Sequence, residues 1–133
     1  MIGGLIAEKI DPQIMSRLAA GKRTALITGT NGKSTTTRMV AAALAELGEV
    51  ATQADGANMD AGIIATLSLQ RSAPVCALEV DELHVPHVSD AVDPAVLVLL
   101  NLSRDQLDRV GEINMIERRL REGISRHPDT VLV

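Results

Sequence analysis

The sequence predicts an α/β fold of the P-loop type, in which a mostly parallel sheet has helices on both faces. Two observations lead to this prediction. Short apolar runs alternate along the chain with segments whose apolar residues recur at helical spacing, as in strands connected through helices. The first apolar run also leads into a glycine-rich turn and then a helical pattern, which is the strand–loop–helix order of a phosphate-binding loop.

Each predicted element rests on apolar spacing and on the residues that start or stop it. Asp11 followed by Pro12 is typical of a helix start, whereas Gly21 and Gly48 stand where helices end. Compact apolar runs predict buried strands. The predicted elements are, in chain order, a short helix after Asp11, a strand at 24–28, a helix from Ser34 to Gly48, a weak strand at 49–54, a short helix at 63–69 after a turn-rich segment, a strand at 75–80, a partial helix at 83–92, a strand at 95–102, a helix at 112–127 and a last strand at 130–133.

The two longest predicted helices each have one apolar face, which we expect to pack on the sheet. In the helix after Ser34 this face consists of Met39, Val40, Ala43, Leu44 and Leu47. In the last helix it consists of Ile113, Ile116, Leu120 and Ile124.

Composition limits the class of protein. The chain has 133 residues, which fits one domain, and its core must be aliphatic because Phe, Tyr and Trp are absent. The net charge of −4 and the lack of aromatic stacking residues argue against nucleic-acid binding. The lone Cys76 cannot form an internal disulfide, and we expect it to be buried, in keeping with a reducing cytosol. Without a signal peptide or an apolar run of about 20 residues, we expect a cytoplasmic protein with no transmembrane segment.

The segment GTNGKST, residues 29–35, carries the strongest chemical signal. Its glycines allow the sharp turn that directs successive backbone N–H groups at one anion, at the positive end of a helix. Asn31 tolerates a left-handed backbone, Lys33 adds a cation for the outer phosphates, and Ser34 offers a hydroxyl where magnesium is commonly bound. The spacing is shorter than in G-x-x-x-x-G-K-[ST], because Ile27 occupies the place of the first glycine.

Further candidate side chains follow the next two predicted strands, at the same edge of the sheet. Glu79, Asp81 and Glu82 end one strand, and we expect one of them to join Ser34 in binding magnesium. Glu79 and Asp81 would project to the same side if the strand continued. Their alternative role is an ordinary solvated turn. After the following strand, Asn101 could reach the nucleotide or the metal.

Other polar residues give weaker signals. Asp105 could cap a helix, and Arg104 and Arg109 are as consistent with surface ion pairs as with anion binding. His84 and His87 are three residues apart, but no third ligand has convincing spacing, so we expect these histidines to be packed or solvated.

Taken together, the motifs resemble one superfamily. GTNGKST is similar to the variant phosphate loop of the Mur ligases and folylpolyglutamate synthases, which are ATP-dependent amide-forming enzymes. Three further stretches, GANMDAGI (56–63), LEVDE (78–82) and NLSRDQLDRVGE (101–112), resemble the MurT subunits of lipid II isoglutaminyl synthase. The resemblance runs from about residue 11 to the end of the chain.

The resemblance implies a function and a set of site residues. MurT-like subunits use ATP to activate the α-carboxylate of D-glutamate in lipid II as an acyl phosphate, and ammonia from a GatD-like glutaminase partner then yields D-isoglutamine. On this basis Lys33 is catalytic, Ser34 and Glu79 bind Mg²⁺, and Asn58 and Asn101 line the site. The residues implied to bind the nucleotide are Gly29, Thr30, Asn31, Gly32, Lys33, Ser34 and Thr35.

The chain also departs from the family pattern. Gln106 stands where most Mur ligases have a metal-binding histidine, which fits MurT, and Ser34 stands where threonine is commoner. Ser103 and Val110 replace aromatics that many MurT sequences carry. We expect residues 1–133 to be the N-terminal portion of the central ATP-binding domain, truncated inside the last strand, without the zinc ribbon and C-terminal domain, and inactive alone.

Three alternatives remain open at the level of sequence. One is another Mur-type ligase or a folylpolyglutamate synthase, against which EVDE and Gln106 argue. A second is a P-loop nucleotide switch or partitioning ATPase, which would have a fuller glycine loop and a second signature motif. The third is a degenerate fragment that binds no ligand.

Overall fold

A computed structural model describes residues 2–53, 56–103 and 110–133, and it confirms the predicted α/β fold. The strands are β1 (Arg23–Thr28), β2 (Val50–Thr52), β3 (Val75–Glu79), β4 (Val96–Leu99) and β5 (Val131–Leu132). The helices are α1 (Ile2–Ile10), α2 (Ile14–Ala19), α3 (Lys33–Leu44), α4 (Asp60–Leu69), α5 (Val85–Val92) and α6 (Val110–Ser125), with a 3-10 turn at Ala45–Leu47.

The sheet is parallel throughout, with strand order β2-β3-β1-β4-β5. The chain steps from β1 outward to β2 through α3, and then returns across the sheet through α4, α5 and α6. Because such crossovers are right-handed, α3 covers one face and the other three helices cover the opposite face. The strand order therefore reverses at β1, and ligands of open α/β sheets bind at such a position, outside the carboxyl ends of the strands.

The core is aliphatic, as predicted, and lies mainly between the sheet and the helices α4, α5 and α6. Cys76 is fully buried within it, and burial raises the pKa of its thiol. The fully buried apolar side chains include Leu26, Ile63, Leu67, Leu78, Val85, Val88 and Leu97. On the face of α6 that was predicted to be apolar, Leu120 is buried and Ile116 and Ile124 pack against the core.

The predicted apolar face of α3 is only partly correct, since Val40 and Leu44 are half-buried but the other three predicted residues are exposed. Met39 and Leu47 are 68% and 75% exposed, whereas Thr37 is buried and Leu44 is half-buried. The helix begins at Lys33, and the less exposed positions Thr37, Val40 and Leu44 recur along it at helical spacing.

Two helix starts also differ from their predictions. The carboxylate of Asp11 accepts a hydrogen bond from the backbone N–H of Gln13 at 3.0 Å, which closes a turn, so α2 begins only at Ile14. Helix α4 begins at Asp60, three residues earlier than predicted, because the extended Met59 presents its carbonyl to the N–H of Ile63 at 3.1 Å.

Helix α1 was not predicted from the sequence. Its large apolar residues are exposed to solvent and do not form a buried apolar face. Ile2 and Ile10 are 76% and 79% exposed, whereas the small Gly4 is buried against α4. A Cβ added to Gly4 would lie 2.3 Å from the carbonyl oxygen of Ala61. Backbone contact through a glycine therefore joins α1 to α4.

Among the helices of the described residues, none combines the length and apolarity needed to cross a bilayer.

We expect Gly4→Ala to separate α1 from α4 and to lower the free energy of unfolding by about 1–3 kcal/mol, the usual range for overpacking. Gly3→Ala is the matched control, since a Cβ at Gly3 meets no atom within 4 Å. That variant should gain about 0.5–1 kcal/mol, because alanine favours helix over glycine. Urea unfolding followed by circular dichroism measures both variants, and equal effects would contradict the Gly4 contact.

Candidate functional site

The glycine loop leaves the carboxyl end of β1, the central strand of the sheet. Within β1, Ile27 pairs with Glu79 of β3 and Thr28 with Leu99 of β4, so the loop opens between the ends of these two neighbours. Gly29 and Gly32 have φ angles of +141° and +87°, which side chains disfavour. A Cβ on Gly29 would also lie 3.0 Å from the backbone nitrogen of Asn101.

Asn101, just beyond β4, holds the loop from one side. Its Oδ1 accepts the backbone N–H of Asn31 at 3.1 Å, and its Nδ2 donates to the carbonyl of Asn31 at 2.9 Å. The backbone N–H of Thr30 donates to the carbonyl of Asn101 at 2.9 Å. The Asn101 amide therefore faces the loop backbone, whereas sequence reasoning assigned it to a ligand.

Ser103 extends this contact in a way that the sequence did not indicate. Its backbone N–H donates to the Thr30 hydroxyl at 3.0 Å, and its own hydroxyl accepts from the Asn31 side chain at 3.2 Å. The residues after β4 thus fix the conformation of the loop through two side chains.

The loop borders a cavity of about 370 Å³ at this edge of the sheet. Gly29 and Asn101 are not among the residues that line the cavity. Gly29 forms the turn after β1, and Asn101 hydrogen-bonds the loop backbone. The residues that line the cavity are Thr30, Asn31, Gly32, Lys33, Ser34, Thr35, Asn58 and Glu79. The structure therefore brings the loop, Asn58 and Glu79 together around one cavity.

Glu79 is the carboxylate that meets Ser34. The Ser34 hydroxyl donates to Glu79 Oε2 at 2.9 Å, and Glu79 is only 4% exposed. Gln53, beyond β2, positions Glu79 by accepting its backbone N–H at 2.9 Å and donating to its carbonyl at 2.8 Å. Sequence reasoning missed Gln53, because a glutamine within a weakly predicted strand carries no motif.

The three clustered carboxylates have separate roles. Glu82 Oε2 lies 3.5 Å from Lys33 Nζ, which also donates to the Gly29 carbonyl at 2.5 Å. Asp81 instead accepts the backbone N–H of Leu83 at 3.0 Å and closes the turn before α5. Because β3 ends at Glu79, Asp81 does not continue the strand alternation on which its expected position beside Glu79 depended.

Asn58 connects two of these segments. Its carbonyl accepts the backbone N–H of Asp81 at 2.9 Å, which joins the loop before α4 to the turn after β3. Asn58 also lines the cavity beside the glycine loop.

The two histidines have a partner that sequence spacing did not indicate. His84 and His87 both contact the carboxylate of Asp60, at 2.8 Å and 2.7 Å. Burial alone would raise the pKa of the Asp60 carboxyl, but the hydrogen bonds with His87 and His84 lower it overall. The hydrogen bond with Asp60 raises the pKa of His87 above its ordinary value. The expectation of packed or solvated histidines with no third ligand was therefore incomplete.

Four residues of the sequence-based predictions lie outside the described residues. They are Arg104, Asp105, Gln106 and Arg109.

Comparison with known proteins identifies the family. Residues 27–133 match the Mur ligase middle domain. The chain belongs to this family. MurT, a subunit of lipid II isoglutaminyl synthase (glutamine-hydrolyzing), is 33% identical in Streptococcus pneumoniae, over 98% of this chain and 30% of the relative. The Staphylococcus aureus (strain COL) MurT is 36% identical over 92% of this chain and 29% of the relative.

The structural comparison agrees with the family assignment. A crystal structure of MurF from Acinetobacter baumannii has a TM-score of 0.69 and 26% identity, covering 85% of this chain and 25% of that one. The predicted resemblance to the Mur ligases and MurT is confirmed. The chain spans about three-tenths of the length of these MurT relatives.

We expect Asn101→Ala to reduce the protection of the Asn31 backbone N–H against hydrogen exchange. The variant loses the acceptor of the Asn31 N–H, whereas the Thr30 N–H keeps its backbone acceptor. Since a net hydrogen bond contributes about 1 kcal/mol, Asn31 amide exchange should accelerate about fivefold or more. Hydrogen exchange followed by NMR measures both amides, with Thr30 as the internal control.

Asn101→Asp retains the Oδ1 acceptor and should preserve the protection of Asn31. Equal acceleration at Thr30 and Asn31 in Asn101→Ala would contradict a specific role of the side chain.

Proposed function

We propose that this chain supplies the phosphate-binding part of an ATP-dependent ligase that activates the D-glutamate α-carboxylate of lipid II for amidation. The observation that carries the proposal is the cavity at the carboxyl edge of the sheet, where Lys33 and the Ser34–Glu79 pair face the same space. The names of the MurT relatives support this choice of substrate and reaction.

In this proposal the loop binds phosphate through its backbone. The N-terminus of α3 begins at Lys33, directly after the left-handed Gly32, so N–H groups and the positive end of the helix dipole face the cavity. Lys33 adds a full positive charge. Glu82 holds that charge at 3.5 Å, and a phosphate would compete with Glu82 for it.

The donor set fits Mg²⁺. Ser34 Oγ and Glu79 Oε2 are hard oxygen donors 2.9 Å apart, on rigid elements beside the loop. Mg²⁺ is commonly bound by a loop hydroxyl and one or two carboxylates together with phosphate oxygens. When bound, Mg²⁺ neutralises phosphate charge, while Gln53 keeps the Glu79 backbone in position.

The chemistry of amidation explains why such a site is needed. A carboxylate resists attack by ammonia, because it is negatively charged and its oxygen is a poor leaving group. Transfer of a phosphoryl group to one oxygen gives an acyl phosphate, which ammonia attacks at carbon with release of phosphate. The protein's contribution is to position charges around the transferred phosphoryl group. A GatD-like glutaminase subunit would supply the ammonia.

Another Mur-type ligase is the second candidate, favoured by the similarity to MurF. It would use the same loop and Ser34–Glu79 pair, but the amine that attacks the acyl phosphate would belong to an amino acid or peptide in place of ammonia. A P-loop switch would instead hydrolyse ATP without forming an amide. The nature of the product therefore separates all three.

We expect Lys33→Ala to weaken binding of Mg·ATP to the 133-residue chain by about 10- to 100-fold, the effect of losing a charged hydrogen-bond donor. Isothermal titration calorimetry gives both affinities. Lys22→Ala is the matched control, because Lys22 also donates to backbone carbonyls, those of Arg71 and Ala73, but precedes β1 at the opposite edge of the sheet.

Lys22→Ala should bind Mg·ATP as the unmodified chain does. If Lys33→Ala and the unmodified chain bind with the same affinity, the phosphate-loop assignment is wrong.

A further inference from the structure

The carboxylate of Asp60, two residues after Asn58 in the chain, contacts two imidazoles. His84 Nδ1 lies 2.8 Å from Asp60 Oδ1, and His87 Nε2 lies 2.8 Å and 2.7 Å from the two carboxylate oxygens. The three potential ligand atoms all lie within 4.8 Å of one another. They come from the start of α4 and the start of α5, so the cluster joins two helices.

The donor set is that of a transition-metal site. Two imidazole nitrogens and one carboxylate suit Zn²⁺ and related late first-row ions, whereas Mg²⁺ prefers oxygen ligands throughout. Ligands at Zn²⁺ bond lengths of 2.0–2.1 Å in a tetrahedron lie about 3.3 Å apart. The Asp60–imidazole contacts of 2.7–2.8 Å would therefore open by about half an ångström. The two imidazole nitrogens, which lie within 4.8 Å of each other, would reach the same spacing through movement of the half-exposed His87.

The cluster is accessible from a second cavity, of about 420 Å³. Its lining includes Asp60 and His84 together with Glu8 of α1. An ion held by the three side chains would retain a coordination position for water or for Glu8, as in open zinc sites with three protein ligands.

We propose that Asp60, His84 and His87 bind a divalent transition-metal ion, with Zn²⁺ as the best match to the ligands. This site is separate from the Ser34–Glu79 pair, whose donors are oxygens only. Bound metal would fix the start of α4 to the start of α5. Both helix starts follow segments at the phosphate-loop cavity, since Asn58 precedes Asp60 and accepts the Asp81 N–H ahead of α5.

The test is calorimetric titration of the 133-residue chain with zinc chloride in a buffer that does not chelate metal. We expect one saturable site of micromolar or better affinity. His87→Gln and Asp60→Asn should each weaken binding by at least about tenfold, since even outer-sphere partners of metal ligands contribute 10- to 100-fold. His127→Gln is the matched control, because His127 contacts Asp90 and Asp93 elsewhere and should be dispensable.

Nitrogen-15 NMR of the three imidazoles gives a readout that needs no variant. Added zinc should shift the ring nitrogens of His84 and His87 and leave those of His127 in place. The proposal is overturned if zinc shows no saturable binding, if His127→Gln weakens binding as much as His87→Gln, or if the His84 and His87 resonances do not move.

Discussion

The hydrogen bond between Ser34 and Glu79 is the interaction on which the candidate site depends. It joins the start of α3 to the carboxyl end of β3 over 2.9 Å, and so sets the distance between the glycine loop and the nearest buried carboxylate. A carboxylate that is 4% exposed needs partners, because burying an unpaired charge costs several kcal/mol. Ser34 supplies one such partner, and Gln53 fixes the backbone on both sides of the acid.

The strand order explains why these groups meet. Because β1 lies between β3 and β4, its loop is held on one side by Glu79 and on the other by Asn101. The chain reverses direction across the sheet at this strand, so the loops diverge and leave a crevice. The two glycines with positive φ let the loop follow that crevice, and Lys33 remains above it with Glu82 as its counter-charge.

Much of this arrangement could be predicted from the sequence, because it depends on local patterns. The strand–loop–helix order, the strands β3 and β4, and the closeness of Ser34 to the carboxylates after β3 follow from apolar runs and from the shared edge of parallel strands. The choice of Glu79 among those carboxylates came from the family resemblance. The exposed side of α3 could not be predicted, since alanines and threonines leave its inward face ambiguous. Helix α1 packs through Gly4, and no hydrophobicity pattern signals a backbone contact. Gln53 and Asp60 act through partners more than 20 residues away in sequence.

The most direct test is an amidation assay in which the protein is combined with a GatD-like glutaminase, lipid II, glutamine and Mg·ATP. Mass spectrometry of the product reports whether the D-glutamate carboxylate has become an amide. We predict ATP-dependent amidation that Glu79→Gln abolishes or strongly reduces, because the charge that pairs with Ser34 is gone. ATP hydrolysis without amide formation, or full amidation by the Glu79→Gln variant, would contradict this prediction.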